Sequence, residues 1–246
     1  MIPNPIRKVL STFRNYEVRA LLMGGQACVF YGAAEFSRDT DFAILADAEN
    51  LARLGRALTE LEAAVIAVPP FDVQYLERGH AVHFRCRHPE AAGLRVDVMA
   101  KMRGVAPFAA LWERRTTIEE EGGGSYELLS LPDLVNAKKT QRDKDWPMIR
   151  RLIEADYAAT ASPSSAQVRF WFAEARTPTL LAELAERFPT EFAAVSEQRP
   201  LLRTAVAGRL DEMEAALAAE EAAERTADRE YWAPLRRELE ELRWRA

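Results

Sequence analysis

A chain of 246 residues that is 48% hydrophobic and 29% charged, with a net charge of −5, has the make-up of a globular protein with apolar material for one large core or two smaller ones. That balance excludes intrinsic disorder and a fibrous repeat, and it gives no bulk attraction to nucleic acid. Two cysteines, Cys28 and Cys86, make no disulfide framework, and no apolar run reaches membrane-spanning length, so the expectation is a cytoplasmic protein with no membrane partner.

Taken in chain order, the first predicted element is a helix, because Ile6, Val9, Leu10 and Phe13 recur at helical spacing. A short apolar strand from Val18 to Leu22 leads into Gly24-Gly25, residues 26–31 suit a short helix, and 37–45 reads as a strand. Asp47 can cap a helix that carries Leu51, Leu54, Leu58 and Leu61 on one face. Strands are then predicted at 64–68, 72–76, 81–87 and 94–99, and Ser130-Leu131-Pro132-Asp133 has the composition of a helix entry. The succession points to an α+β protein, a mixed sheet flanked by helices.

The small, polar segment at 159–166, ATASPSSA, is the expected domain boundary, separating 1–158 from an all-helical domain at 163–246. In the latter, Leu202, Val206, Leu210, Met213 and Leu217 keep helical spacing, as do Leu235, Leu239 and Leu242. It carries sixteen acidic residues against twelve Arg and no Lys, whereas 138–151 concentrates six basic residues against two acidic ones. A basic stretch of that kind suits contact with phosphate.

Chemistry concentrates around one pair of carboxylates. Strand alternation turns Asp39 and Asp41 to the same side, where they repel each other unless a hard cation such as Mg²⁺ lies between them. Asp97, in Leu94-Arg95-Val96-Asp97-Val98-Met99, faces away from the apolar residues of its own strand, so a neighbouring strand could bring it beside the pair. Three carboxylates suffice for two metal ions, with Asp97 also available as general base. Gly24-Gly25, ending a strand and opening a helix, lets the backbone approach an anion. His80, His83, Cys86 and His88 are close in sequence, but on a strand His83 points away from Cys86 and His88, so ordinary strand residues rather than a metal centre are expected there.

The segments LLMGGQACVFYGAAEFSRDTDFAIL (21–45), LRVDVM (94–99) and LLSLPDLVNAKKTQRDKDWPMIRRL (128–152) together resemble the signature of the DNA polymerase β-like nucleotidyltransferase superfamily. They are most similar to its minimal bacterial branch, which includes AbiEii-type toxins and small-molecule nucleotidyltransferases. The resemblance implies a nucleotidyltransferase fold over 1–158, Mg²⁺ in two sites on Asp39, Asp41 and Asp97, and an NTP donor that loses pyrophosphate. It also implies nucleotide contacts from Gly24, Gly25, Ser37, Lys138, Lys139, Arg142 and Lys144. The acceptor would be RNA or protein for a toxin-like enzyme, with an antitoxin as partner, or a small molecule for an antibiotic-modifying one. A catalytically inactive nucleotide-binding regulator is the third reading. Phe42-Ala43 and Trp146-Pro147 depart from the family's usual pattern.

Overall fold

The computed structural model describes residues 4–120, 124–206 and 208–245. Of these, the residues within 1–30, 35–137 and 231–246 pack as one compact unit and those within 31–34 and 138–230 as a second. The compositional break at 159–166 lies inside the second.

In the first unit, α1 (Asn4–Asn15) buries Ile6, Val9, Leu10 and Phe13, the face its spacing predicts. It leads to β1 (Ala20–Met23), buried throughout, then α2 (Gly24–Phe30) and β2 (Asp39–Ile44). Next, α3 (Ala48–Glu60) starts where the sequence places it, with the Asp47 carboxylate accepting the Asn50 N–H at 2.7 Å. A cap of that kind stabilises a helix by about 1 kcal/mol. Asn50, itself buried, also fastens two segments: it accepts from the Arg19 N–H and donates to the carbonyls of Arg19 and Leu45.

After β3 (Ala64–Val65) the structure departs from expectation. Residues 72–76, predicted as a strand, form the cap and first turn of helix α4 (Val73–Arg78). The apolar alternation of Val73 and Tyr75 is outweighed by local caps: Asp72 accepts the Gln74 N–H, and Gly79 closes the helix at φ +104°. Then come β4 (Val82–Arg85), a 3-10 turn at Pro89–Ala91, and β5 (Arg95–Met99). A short helix α5 (Phe108–Glu113) precedes two strands that sequence reading did not find, β6 (Thr116–Glu120) and β7 (Gly124–Leu128). Helix α6 (Leu131–Lys138) begins at the predicted entry, where Asp133 is gripped by both Ser130 and the Arg114 guanidinium.

Among the described residues seven strands make one mixed sheet in the order β3-β4-β5-β2-β1-β7-β6. The β2–β5 and β1–β7 pairs are parallel and the others antiparallel. Thr40, Phe42, Val82, Phe84, Val96 and Val98 are buried on one face of the central strands. The opposite face carries Asp39, Asp41, His83, Arg95 and Asp97 beside the buried Leu21, Met23 and Ala43, and the α+β class follows from this sheet and its helices.

Among the described residues every element of the second unit is helical: α7 (Asp145–Ala159), α8 (Ser165–Glu174), α9 (Pro178–Arg187), α10 (Pro189–Ser196), a 3-10 turn at Pro200–Leu202, α11 (Arg203–Val206) and the start of α12 (Leu210–Arg245). Its core is built on Trp171, Phe172, Leu181 and Leu184, and the Trp171 indole N–H is satisfied by Asp156 at 2.7 Å. The periodic run from Leu202 to Leu217 is not one helix, because the chain breaks around Gly208, which adopts φ +67°. Among the described residues no helix is long and apolar enough to cross a membrane.

Candidate active site: an acidic strand face beside a glycine pair

Register decides which side chains meet. Parallel pairing of β2 with β5 sets Asp39 opposite Arg95 and Asp41 opposite Asp97, and antiparallel pairing of β4 with β5 sets His83 opposite Asp97. Directly paired residues share a face of the sheet. Asp39, Asp41 and Asp97 therefore stand on one half-buried face, behind which Thr40, Phe42, Val96 and Val98 fill the core.

The glycine pair lies against this face. Met23, the last residue of β1, pairs with Asp41, and Gly24 follows at φ +67°. A Cβ at Gly24 would collide with the Asp41 carboxylate, and one at Gly25 would lie 2.6 Å from Ser37 Oγ. Neither position has room for a side chain, so the main chain presses on both polar groups. Ser37 in turn donates to the Asp39 carbonyl at 3.0 Å, fixing the approach to β2.

Two residues that sequence reading left out of the site complete it. Arg95 Nε donates to Asp97 Oδ1 at 2.8 Å, and His83 Nδ1 lies 2.9 Å from the same oxygen and 3.0 Å from an Arg95 terminal nitrogen. Nδ1 thus faces an acceptor and a donor at once: protonated it gives its hydrogen to Asp97, and deprotonated it accepts from Arg95. Burial pushes the Asp97 carboxyl up, but hydrogen bonds and charge from His83 and Arg95 outweigh it and hold the group below the ordinary carboxylate range. The hydrogen bond to Asp97 holds Arg95 above its usual value, and the negative charges of Asp97, Asp39 and Asp41 add to that. Arg95 is the local counter-charge of all three acids. Its place was legible, since it stands two residues before Asp97 on the same strand; that of His83 required the β4–β5 register.

Oxygen donors on a strand end, with a main-chain cradle beside them, suit a hard divalent cation. Asp39 and Asp41 fit that role as they stand. Asp97 would join them only by releasing Arg95 and His83, and among the described residues no three His, Cys, Asp or Glu side chains form a ready ligand set. The other members of the histidine-rich stretch have separate duties: His80 is buried against Glu238 at 2.7 Å, His88 caps the 3-10 turn through Glu90, and Cys86 lies in the core, where burial pushes its thiol up to about 11.

The basic residues of the expected nucleotide contacts belong to the second unit, apart from the acids in the division of the chain. There Lys138 Nζ donates to the buried Asp145 at 3.0 Å, Arg142 Nε donates to the same carboxylate at 2.7 Å, and Lys139 pairs with Glu174 at 2.7 Å. Lys144 is exposed just before α7 and has no ion pair among the described residues. Three of the six basic residues at 138–151 are thus engaged by internal carboxylates. No protein-family model matches the chain, and no curated protein matches it.

Proposed function

We propose that the chain is a metal-dependent nucleotidyltransferase, moving a nucleoside monophosphate from an NTP to an acceptor hydroxyl with release of pyrophosphate. The observation that carries this reading is the juxtaposition of Asp39, Asp41 and Asp97 on two paired strands, next to a glycine pair too close to the acids to bear side chains. The resemblance of the three sequence segments to the polymerase β-like superfamily supports the same reading and the finer assignment of a nucleotidyltransferase fold. Asp39 and Asp41 would hold Mg²⁺, with Asp97 completing a second ion's ligands; the metal supplies charge neutralisation for the triphosphate and the leaving group. Gly24-Gly25 admits the phosphates to the main chain, and Ser37 steadies the strand entry. Asp97 takes the acceptor's proton as its oxygen bonds to the α-phosphorus and the bridge to the β-phosphate breaks. The acceptor is RNA or protein in the toxin-like version, with an antitoxin partner, and a small molecule in the antibiotic-modifying version.

Purified protein incubated with each labelled NTP, Mg²⁺ and cell extract should label one acceptor class. Asp39→Asn or Asp41→Asn should cut that transfer by on the order of 10³-fold, the worth of several kcal/mol of lost charge stabilisation, with an unchanged circular dichroism spectrum. Equal labelling by wild type and both variants rejects the assignment.

A second reading, a nucleotide-binding regulator without turnover, is favoured by the capture of Asp97 by Arg95 and His83. Under the enzymatic reading Arg95 competes with the metal, so Arg95→Met should tighten Mg²⁺ binding by roughly two- to fivefold, measured by calorimetry. Mg²⁺-dependent NTP binding with no product in wild type supports the regulator.

A further inference from the structure

Away from the acids, the first unit holds a cleft of about 300 Å³, at the lower end of the range for small-molecule sites. Its floor is apolar and aromatic: Leu10 and Phe13 of α1, Ala20 of β1, Phe42 of β2 and Tyr126 of β7. Its rim is charged. Both rim carboxylates are already answered, Glu127 by Arg115 at 2.7 Å and Glu17 by Arg53, which reaches both its carboxylate and its carbonyl. Arg14 and Arg19 have no carboxylate partner among the described residues, which leaves the rim with uncompensated positive charge.

Arg19 is presented in a fixed way. Its guanidinium lies over the Trp112 ring, 5.7 Å from the centroid, and its backbone is held in both directions by the buried Asn50, which accepts from its N–H at 2.7 Å and donates to its carbonyl at 3.0 Å. The Arg115 guanidinium also packs over Trp112, 4.3 Å from its centroid, so the indole is itself held in place. An apolar floor, one immobilised indole and two unanswered guanidinium groups match a flat organic body that carries one anionic group.

We infer that this cleft binds a small aromatic anion, with the ring on the Phe13–Phe42–Tyr126 floor beside Trp112 and the anionic group on Arg14 and Arg19. The site is independent of the acidic face, and its occupancy does not depend on the enzymatic reading.

The test is titration calorimetry on the full chain with three probes: 2-naphthoate, its neutral analogue 2-naphthalenemethanol, and inorganic phosphate. Saturable 1:1 binding of 2-naphthoate is expected, with 2-naphthalenemethanol and phosphate each at least roughly tenfold weaker, because one lacks the charge and the other the apolar body. Arg14→Met/Arg19→Met should weaken 2-naphthoate by roughly tenfold or more, while Asp41→Asn should bind it as wild type does. Both arginines are exposed, so the double variant should fold, and the probe comparison on unaltered protein stands whether or not it does. Absence of saturable binding overturns the inference, as does equal binding of the charged and neutral probes or full binding by the double variant.

Discussion

Gly24→Ala is expected, under the nucleotidyltransferase reading proposed above, to remove nucleotide transfer more thoroughly than any other single-methyl change in the chain. The position lies at φ +67°, where an L-residue costs roughly 1–2 kcal/mol, and the added methyl would occupy the place of the Asp41 carboxylate. The strand carrying Asp41 is fixed by pairing on both sides, so the carboxylate must rotate away from its present position. Displacing a catalytic group by about 1 Å can cost on the order of 10²-fold, and transfer should fall by at least that much while denaturant unfolding shows a loss of about 1–2 kcal/mol. The neighbouring change separates crowding from backbone strain: Gly25 is not at positive φ, and its nearest neighbours are Ser37 Oγ at 2.6 Å and Ser37 Cβ at 3.2 Å. Gly25→Ala should therefore be partly rescued by Ser37→Ala, whereas no change at Ser37 should rescue Gly24→Ala. Full transfer by Gly24→Ala would show that the position of the Asp41 carboxylate does not matter to the reaction.

The largest loss of stability is expected from Asp145→Ala. This carboxylate is almost fully buried and accepts from Lys138 at 3.0 Å, Arg142 at 2.7 Å and Thr140 at 2.6 Å. Its removal strands the buried Lys138 ammonium, a situation that costs about 3–5 kcal/mol. The acid dependence follows from the same contacts. Burial pushes the Asp145 carboxyl up, but the charges of Lys138 and Arg142 and the bonds from Thr140 and Lys138 outweigh it and hold the group below the ordinary value. A carboxylate lowered in the folded state gives its stabilisation in full above the unfolded pKa of about 3.9 and loses it as pH falls through the folded one. The gap between wild type and Asp145→Ala, measured by denaturant unfolding, should be constant from pH 6 to 8 and narrow below about pH 4. A gap that widens in acid would mean that Asp145 is not the anionic partner of Lys138.

Alternation made the essential strands readable. In β5 polar and apolar residues alternate from Arg95 to Val98, and in β2 Asp39 and Asp41 flank the buried Thr40 ahead of an apolar run, so both the strands and the direction of Asp39, Asp41 and Asp97 follow from period two. Helix α3 was legible for a different reason, a capping Asp47 followed by leucines at helical spacing. What failed was short or weakly patterned. Thr116-Thr117-Ile118-Glu119-Glu120 has a single large apolar residue, too faint an alternation to mark β6, and Val73-Gln74-Tyr75 alternates within a helix of only six residues whose caps decide the matter. Long-range pairing was the other limit: nothing in Val82-His83-Phe84-Arg85 says which strand it will lie beside, and so nothing says that His83 will reach Asp97. The same holds for the basic residues at 138–145, where a high local charge suited phosphate contact but Asp145 turns inward and collects Lys138 and Arg142.

Thr40 donates to the Arg95 carbonyl across 55 positions of chain, and the acidic face exists only where those two strands are zipped together. A nascent or half-folded molecule with the antiparallel β1–β2 pair in place but β5 not yet docked displays Asp39 and Asp41 alone, hydrated and without Arg95 to balance them. Under the proposed reading, capture of nucleotide is reserved for the finished sheet, so binding kinetics read during refolding would clock the arrival of β5.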